Sequence, residues 1–483
     1  MPDFTDLPKQ WLVSPAPLPD PVAGRRDAFA GLHLALAAAV PVQTLRNAGG
    51  AEVGRLIGWP IHGGVLHRTD GVIDLAAGQT PEDLFDTLGG RFVLLWRAGD
   101  GRVLLREDSA GGLPAVYAPD AGLVAATVTL IGQIHPLPVD AAAEAIFDFP
   151  ARRGFLPFGL TSRQGAHRLM PNHVLDLGAM TAHRVWPDAG FAARPALDAA
   201  QIAAGVAETA AILRAHVAAI LQQGETVLYL SGGHDSRTVL AAARGMTDNL
   251  RAETLGNESL LDAHVAARVA RAAGIPHARV PILPVSEAEI GAWLARSGRM
   301  MFDPVTLLAA TAAKIHTGNH PISGTGAEIM RASNWGADDL QAAEIDLPRL
   351  LARVRMPDLP VIRAAARAWI DGLPPMDAAM AIDIAKIEQI HGCWSGAAVY
   401  GHPLPTPTLS PFSGQRLNAI ALAMPKDYRL SGRMFGEVVG QLWPALLQVP
   451  VNRATGLVRL RFWRTELKRM IPAGLRRKLK PLR

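Results

Sequence analysis

Cysteine is almost absent from this 483-residue sequence, which contains one, Cys393. A single thiol excludes an internal disulfide and any metal site built from cysteines. The sequence also lacks an uncharged apolar run of about eighteen residues, so we expect no transmembrane helix. The acidic N-terminus has no signal-peptide pattern, and we therefore expect a cytoplasmic location.

Charge is unevenly distributed along the chain, whose net value is +5. Residues 457–483 contain ten basic side chains against one acidic side chain, a net +9 that leaves −4 for the rest. Such a tail would suit an acidic partner or peripheral contact with a membrane, or it would simply form a solvated helix. We expect no nucleic-acid partner.

One stretch combines a strand, a glycine turn and a helix start. Residues 226–230 read TVLYL, a short β-branched and apolar run that is typical of a buried strand. Residues 231–236 then read SGGHDS and lead directly into the apolar residues of a helix. Because the first N–H groups of a helix lack partners, this arrangement favours an anion such as a phosphate.

The turn differs from the GxxxxGK[ST] loop because no lysine follows its glycines. Asp235 stands there instead, and a carboxylate beside phosphates indicates a divalent cation between them. An ordinary strand-to-helix turn with a serine cap would also fit the pattern. We favour the phosphate interpretation because several suitable residue types occur together.

The chain length predicts two or three domains, and the predicted secondary structure changes along the sequence. Residues 89–96 and 102–106 predict a β-hairpin, and the first half is β-rich. After residue 198, helices alternate with strands, which predicts a parallel sheet. The expected fold is therefore a two-domain combination of α+β and α/β architecture, with a helical extension after the parallel sheet.

A second glycine turn follows a short apolar run at residues 321–328, which read PISGTGAE. Its Glu328 supplies another carboxylate, and we expect Asp235 and Glu328 to share magnesium on the phosphates. A loop glycine pair with a capping glutamate would explain this second turn equally well.

These two turns, with the SPF motif at residues 410–412, resemble the asparagine synthetase family of ATP pyrophosphatases. GRF at 90–92, RED at 106–108 and LMP at 169–171 resemble that family's glutaminase domain. The resemblance implies an N-terminal Ntn-type glutamine amidotransferase-like sandwich at 1–190, a PP-loop synthetase domain at 191–456 and a basic tail at 457–483.

The family resemblance implies ATP and Mg²⁺ as cofactors and formation of an amide through an acyl-adenylate. It further implies that Leu230 and Leu255 flank the adenine, that Ser231, Gly232, Gly233, Ser236, Ser323 and Gly324 hold the phosphates, and that Asp235 and Glu328 bind magnesium.

Two departures from the family pattern refine this expectation. Glutamine-using members place a cysteine after the initiator methionine, whereas this chain has Pro2, so we expect a degenerate glutaminase half. Thr325 replaces the glutamate of asparagine synthetases, which argues against ammonia as the acceptor. With both changes the chain resembles lasso-peptide macrocyclases and β-lactam synthetases.

The same resemblance suggests two further catalytic residues besides Thr325. Glu388 resembles a glutamate that helps to deprotonate the attacking amine, although a surface or capping role would also fit. Arg453 occupies the loop that normally carries an adenylate-stabilising lysine. It would replace that lysine or be an ordinary loop arginine.

We therefore expect an ATP-dependent, AMP-forming amide synthetase, first of all a lasso-type macrocyclase acting on a peptide. Leader-binding and protease proteins would then be its partners. The alternatives are a ligase that adds free ammonia to a small acid, or a degenerate module that binds nucleotide. Use of the loop in tRNA modification would leave the glutaminase-like half unexplained.

Overall fold

The computed structural model describes residues 1–148, 154–256, 261–302, 321–455 and 462. Its strands are β1 Trp11–Ser14, β2 Gly24–Phe29, β3 Leu32–Ala37, β4 Val42–Arg46, β5 Glu52–His62, β6 Val65–Leu66, β7 Gly71–Asp74, β8 Gly89–Arg97, β9 Val103–Glu107, β10 Val116–Ala118, β11 Leu123–Ala125, β12 Gly154–Phe155, β13 His167–Arg168, β14 His173–Asp176, β15 Thr181–Arg184, β16 Thr226–Tyr229, β17 Leu250–Leu255, β18 His277–Val280, β19 Met301–Phe302 and β20 Pro321–Ile322.

The α-helices of the same residues are α1 Pro81–Phe85, α2 Val128–Ile134, α3 Ala141–Glu144, α4 Ala189–Ala192, α5 Ala199–Leu221, α6 Asp235–Ala242, α7 Leu261–Ala273, α8 Glu287–Arg296, α9 Leu347–Val354, α10 Pro360–Asp371, α11 Ala378–Ala385, α12 Ala398–Gly401, α13 Gln415–Ala423, α14 Lys426–Ser431 and α15 Arg433–Leu442. A π-helix, Lys386–Gly396, connects α11 to α12.

The first half of the chain forms two larger sheets. One has the order β13-β10-β11-β1-β3-β2, and the other has the order β15-β14-β9-β8-β5-β4-β7 with β6 on β5. The predicted hairpin is confirmed, because β8 and β9 pair antiparallel and Arg97 lies opposite Val103. That the first half is a glutaminase-type domain stays a prediction.

Alternation along β8 gives the larger sheet two buried faces. Val93 and Leu95 belong to the main hydrophobic core, which also includes residues of the other sheet. Leu94 and Trp96 point the opposite way, into a smaller core with Phe85 of α1. This is the two-residue period of a strand, and it fixes the register of the sheet.

The second half contains the predicted parallel sheet, in the order β18-β17-β16-β20. β16 pairs in parallel with β17 on one side and with β20 on the other. The mixed architecture with a parallel sheet is therefore confirmed, and the carboxyl ends of all four strands lie at one edge.

The two halves share a single core rather than two separate ones. The Trp11 indole N–H donates to the Tyr400 hydroxyl at 3.2 Å, and that hydroxyl donates to the Pro114 carbonyl at 2.7 Å. β12 of the first half pairs with β19 of the second. The boundary near residue 190 remains a prediction, but these contacts show that the halves are packed closely.

Among the described residues, one helix, α5, is long and apolar enough by length and composition to cross a membrane. Half of its most apolar stretch is buried inside the protein, where α5 packs against α6 and α15. Core helices of water-soluble proteins have the same properties. The packing of α5 accounts for the buried half of this stretch.

The sequence did not predict the four strands β1–β4 within the first 50 residues, which are rich in proline and alanine. These strands form through pairing with distant partners, for example β1 with β11. Apart from Phe462, the predicted basic tail lies outside the described residues.

We predict that Gly396→Ala destabilises the contact between the halves. A Cβ at Gly396 would overlap the Gly111 carbonyl oxygen, which belongs to the first half. Overpacking of this kind costs about 1–3 kcal/mol of the free energy of unfolding, measurable by urea denaturation. The control is Gly436→Ala in α15, where a Cβ meets nothing within 4 Å and about 0.5–1 kcal/mol should be gained. Equal effects of the two substitutions would contradict the packing argument.

Candidate active site

The candidate site lies where the parallel strands end. β16 continues into the phosphate loop, defined as residues 231–236, and β20 continues into the second turn, residues 323–328. The pairing of Leu228 with Ile322 places the two loops side by side. Ligands of such sheets bind at this edge.

Hydroxyl groups organise the phosphate loop from within. The Ser231 N–H donates to the Ser236 hydroxyl at 2.9 Å, and the two hydroxyl oxygens lie 3.2 Å apart. The Gly233 N–H donates to the Ser231 hydroxyl at 3.3 Å. The Gly232 N–H donates to a carboxylate oxygen of Asp262 at 3.2 Å. The loop is therefore a closed turn with both serines facing its interior.

Helix α6 begins at Asp235 without a side-chain cap, since His234 makes no capping hydrogen bond. Its first N–H groups are thus available to an anion. Gly324 of the second turn approaches this helix start closely, because a Cβ there would lie 2.6 Å from the Ser236 nitrogen. Only glycine permits the two loops to come this close.

Two carboxylates meet between the loops. Burial raises the pKa of Asp235 to about 6, with Arg331 opposing the shift and Glu328 adding to it. One Asp235 oxygen is buried without a hydrogen-bond partner, and the other lies 3.2 Å from the Arg331 guanidinium. Asp235 therefore has an unsatisfied ligand atom directed at this site.

Two residues of the π-helix complete the charge balance. Burial acts to raise the pKa of Glu328, but His391 and Lys386 outweigh it and hold that pKa below its usual value. Burial lowers the pKa of His391 to about 4. Near pH 7 His391 is then neutral, and the Lys386 ammonium and the Gly326 N–H, which donates to the carboxylate at 3.0 Å, favour the ionised form of Glu328.

These residues fit ATP and magnesium. Serine hydroxyls and an uncapped helix start suit phosphates, and magnesium is commonly held by one or two carboxylates together with substrate phosphates. The described residues contain no cluster of three or more His, Cys, Asp or Glu side chains that would hold a metal alone. A metal bound here would need the phosphates as further ligands.

The remaining predicted nucleotide and loop residues take different positions. Leu230 is buried in the core, whereas Leu255 is partly exposed at the end of β17. Thr325 accepts a hydrogen bond from the Ser323 hydroxyl at 3.1 Å. Arg453 is exposed, and its neighbour Asn452 donates its N–H to the Gly232 carbonyl at 2.8 Å. The structure thus brings Leu255, Thr325 and Arg453 to the site edge but not the Leu230 side chain.

Glu388 is fully buried, and most of its polar partners belong to the first half. Its carboxylate forms an ion pair with Arg184 and accepts hydrogen bonds from Trp369 at 2.6 Å and Asn172 at 3.0 Å. Burial acts to raise its pKa, but Arg184 holds the pKa below the usual value. A carboxylate occupied in this way is not available to an incoming amine, so the geometry favours a structural role over the predicted catalytic one.

Lys386, His391 and Arg331 were not identified from the sequence. Lys386 follows the apolar run of α11, and a lone lysine in such a helix was the available signal. Arg331 and His391 belong to no recognisable motif. They reach the site through the packing of the π-helix and the residues after the second turn.

The asparagine synthase family model matches residues 208–304, which include the phosphate loop and β17. This match supports the asparagine synthetase family. Among solved structures, glutamine-dependent NAD+ synthetase from Acinetobacter baumannii, in complex with adenosine diphosphate, is similar at 20% identity. The alignment covers 33% of this chain and 30% of that chain, with a TM-score of 0.16. No curated protein matches.

We predict that Asp235→Asn stabilises the nucleotide-free protein at high pH. A folded pKa near 6 against an ordinary 3.8 means that the ionised carboxylate is unfavourable in the fold. This penalty is absent below about pH 4, grows between about pH 4 and 6, and is complete above that. The variant should gain about 1–3 kcal/mol in the free energy of unfolding at pH 8 and little at pH 4. An equal gain at both pH values would contradict this.

We predict that Glu388→Gln lowers the free energy of unfolding by about 3–5 kcal/mol, because the buried Arg184 charge loses its partner. The control is Glu208→Gln, which removes an exposed pair with Arg416 and should cost less than about 1 kcal/mol. Urea denaturation measures both. A stable Glu388→Gln protein that forms an adenylate but fails to transfer it would restore the catalytic role.

Proposed function

We propose that this protein is an ATP-dependent, AMP-forming amide synthetase. The observation that carries the proposal is the meeting of Asp235 and Glu328 beside the uncapped start of α6. The family match over residues 208–304, which include Asp235 but not Glu328, supports ATP use and amide-bond formation.

In the proposed reaction, a substrate carboxylate attacks the α-phosphorus of ATP and pyrophosphate leaves. An amine then attacks the acyl carbon, loses a proton, and AMP leaves. Bound magnesium would neutralise charge on the phosphates, with Asp235 and Glu328 as its protein ligands. Ser231, Ser236 and Ser323 hold and orient the phosphates through their hydroxyls, and Lys386 adds positive charge where the leaving group departs.

We propose a macrocyclase-type acceptor, an amine that belongs to the substrate itself, rather than ammonia released from glutamine. The single cysteine supports this, since Cys393 is buried and burial raises its pKa to about 11. Such a thiol is not a nucleophile near neutral pH. Thr325 in place of a glutamate favours the same conclusion.

A second candidate function is addition of free ammonia to a small acid, which the phosphate loop and the carboxylate pair would serve equally well. Leader-binding and protease partners are proposals that follow from the macrocyclase type. We also propose a cytoplasmic location, from the N-terminal sequence, and peripheral membrane contact of the basic tail, from its charge. A nucleotide-binding module without catalysis is the remaining alternative.

The test is exchange of labelled pyrophosphate into ATP by the full-length protein with magnesium. We expect exchange only when a carboxylic acid substrate is added, and we expect Asp235→Asn to abolish it. Ser323→Ala should reduce it about tenfold or more, since one hydroxyl to phosphate is lost. Glu208→Gln, on the exposed face of α5, should leave it unchanged.

Exchange stimulated by peptides with acidic side chains would support the macrocyclase type, whereas stimulation by L-aspartate would favour the ammonia ligase. Binding of ATP without exchange under any of these conditions would contradict the synthetase proposal and favour the nucleotide-binding module.

A further inference from the structure

A cleft of about 630 Å³ adjoins the candidate active site. The side cleft, as we call it, is formed by the end of α9, one face of the π-helix and Phe155 from the first half. Its walls include the apolar side chains of Ile390 and Trp394. Three cations also line it, Arg353, Arg355 and Lys386.

Lys386 connects the side cleft to the carboxylate pair. It lines the cleft and is also close enough to Asp235 and Glu328 to lower the pKa of both. A molecule in the side cleft therefore has one end beside the place where the phosphates would bind.

Arg355 holds an unusual conformation at the rim of the side cleft. It ends helix α9 with φ 61° and ψ 38°, the left-handed region in which glycine is favoured. A non-glycine residue there is strained, and such strain is often kept for function. In the described part of the chain, no carboxylate pairs with Arg355, which is exposed, whereas Arg353 is paired with Asp338 and Asp339.

Resting on the proposed function, we propose that the side cleft binds the acyl donor, and that this donor is an acid with an apolar or aromatic body and a second anionic group. Its reacting carboxylate would lie beside Lys386, its body against Trp394 and Ile390, and its second anion on Arg355. A cleft of this volume is of the size that encloses drug-sized ligands, which favours a substrate much larger than free aspartate.

The first experiment measures binding without catalysis. The probe is 8-anilinonaphthalene-1-sulfonate, an aromatic anion, titrated by fluorescence into the full-length protein. We expect saturable binding that Arg355→Gly weakens about tenfold, the value of one charge-assisted contact. Because glycine relieves the left-handed strain, the melting temperature of this variant should equal or exceed that of the parent protein.

Three further variants separate the explanations. Trp394→Leu should also weaken the probe, since it removes an aromatic wall. Arg363→Gln is the matched control, because Arg363 is an arginine on the neighbouring helix α10 that pairs with Asp358 and does not line the cleft. Asp235→Asn should bind the probe as the parent does while losing pyrophosphate exchange.

Displacement of the probe tests the substrate class. N-acetyl-Phe-Glu should displace it at lower concentration than N-acetyl-Phe-Gln or L-aspartate, and only in a protein that retains Arg355. Unchanged probe affinity in Arg355→Gly, or an equal loss in Arg363→Gln, would overturn the inference. Arg355-dependent displacement without any pyrophosphate exchange would uphold the side cleft and contradict the synthetase proposal. Pyrophosphate exchange with an acid whose KM is the same in Arg355→Gly as in the parent protein would support the synthetase proposal and contradict the role of the side cleft.

Discussion

The parallel pairing of β16 with β17 and β20 is the constraint on which the candidate site depends. Val227 lies opposite Pro321, so two segments about a hundred residues apart in the sequence end at the same edge of one sheet. Asp235 and Glu328 follow those two strand ends and meet for that reason. A shift of the register by one residue would exchange the side chains of β20 between the two buried faces of the sheet and move Glu328 relative to Asp235, so the core packing and the carboxylate pair depend on the same pairing.

The charged groups at this edge of the sheet lower the stability of the fold. Asp235, a carboxylate with one unpartnered buried oxygen, is held beside a second carboxylate, and Arg331 and Lys386 do not fully offset the cost of burying its charge. Such an arrangement weakens the nucleotide-free fold, and a divalent cation held by the two carboxylates would offset that cost. Arg355 is a second unfavourable position, because its left-handed backbone conformation at the end of α9 is strained for a residue other than glycine. Departures from local stability at these two positions are of the kind that is often retained for ligand binding.

The sequence predicted what is local and missed what depends on packing. The strand, turn and start of α6 follow from short-range pattern, and so does the hairpin of β8 and β9. The role of Glu388 does not, because its surroundings are made by Arg184 and Asn172 of the other half. In the π-helix, Lys386 lies at the carboxylate site while Glu388 lies buried on the side of the first half. No periodicity in the sequence predicts that Lys386 and Glu388 lie on different sides of the π-helix.

Because the π-helix contacts the first half on one side and the candidate site on the other, the first half has a structural role that does not require glutaminase chemistry. One side of the helix is held by it, since Gln389 accepts a hydrogen bond from the Phe158 N–H at 2.7 Å and the Gly392 carbonyl accepts one from Arg168. The other side presents Lys386 to the carboxylates and Trp394 to the side cleft. π-Helical segments are frequent at functional sites and need neighbours to stabilise their poorer hydrogen bonding. Removing the first half would therefore disturb the site even though it contributes no thiol.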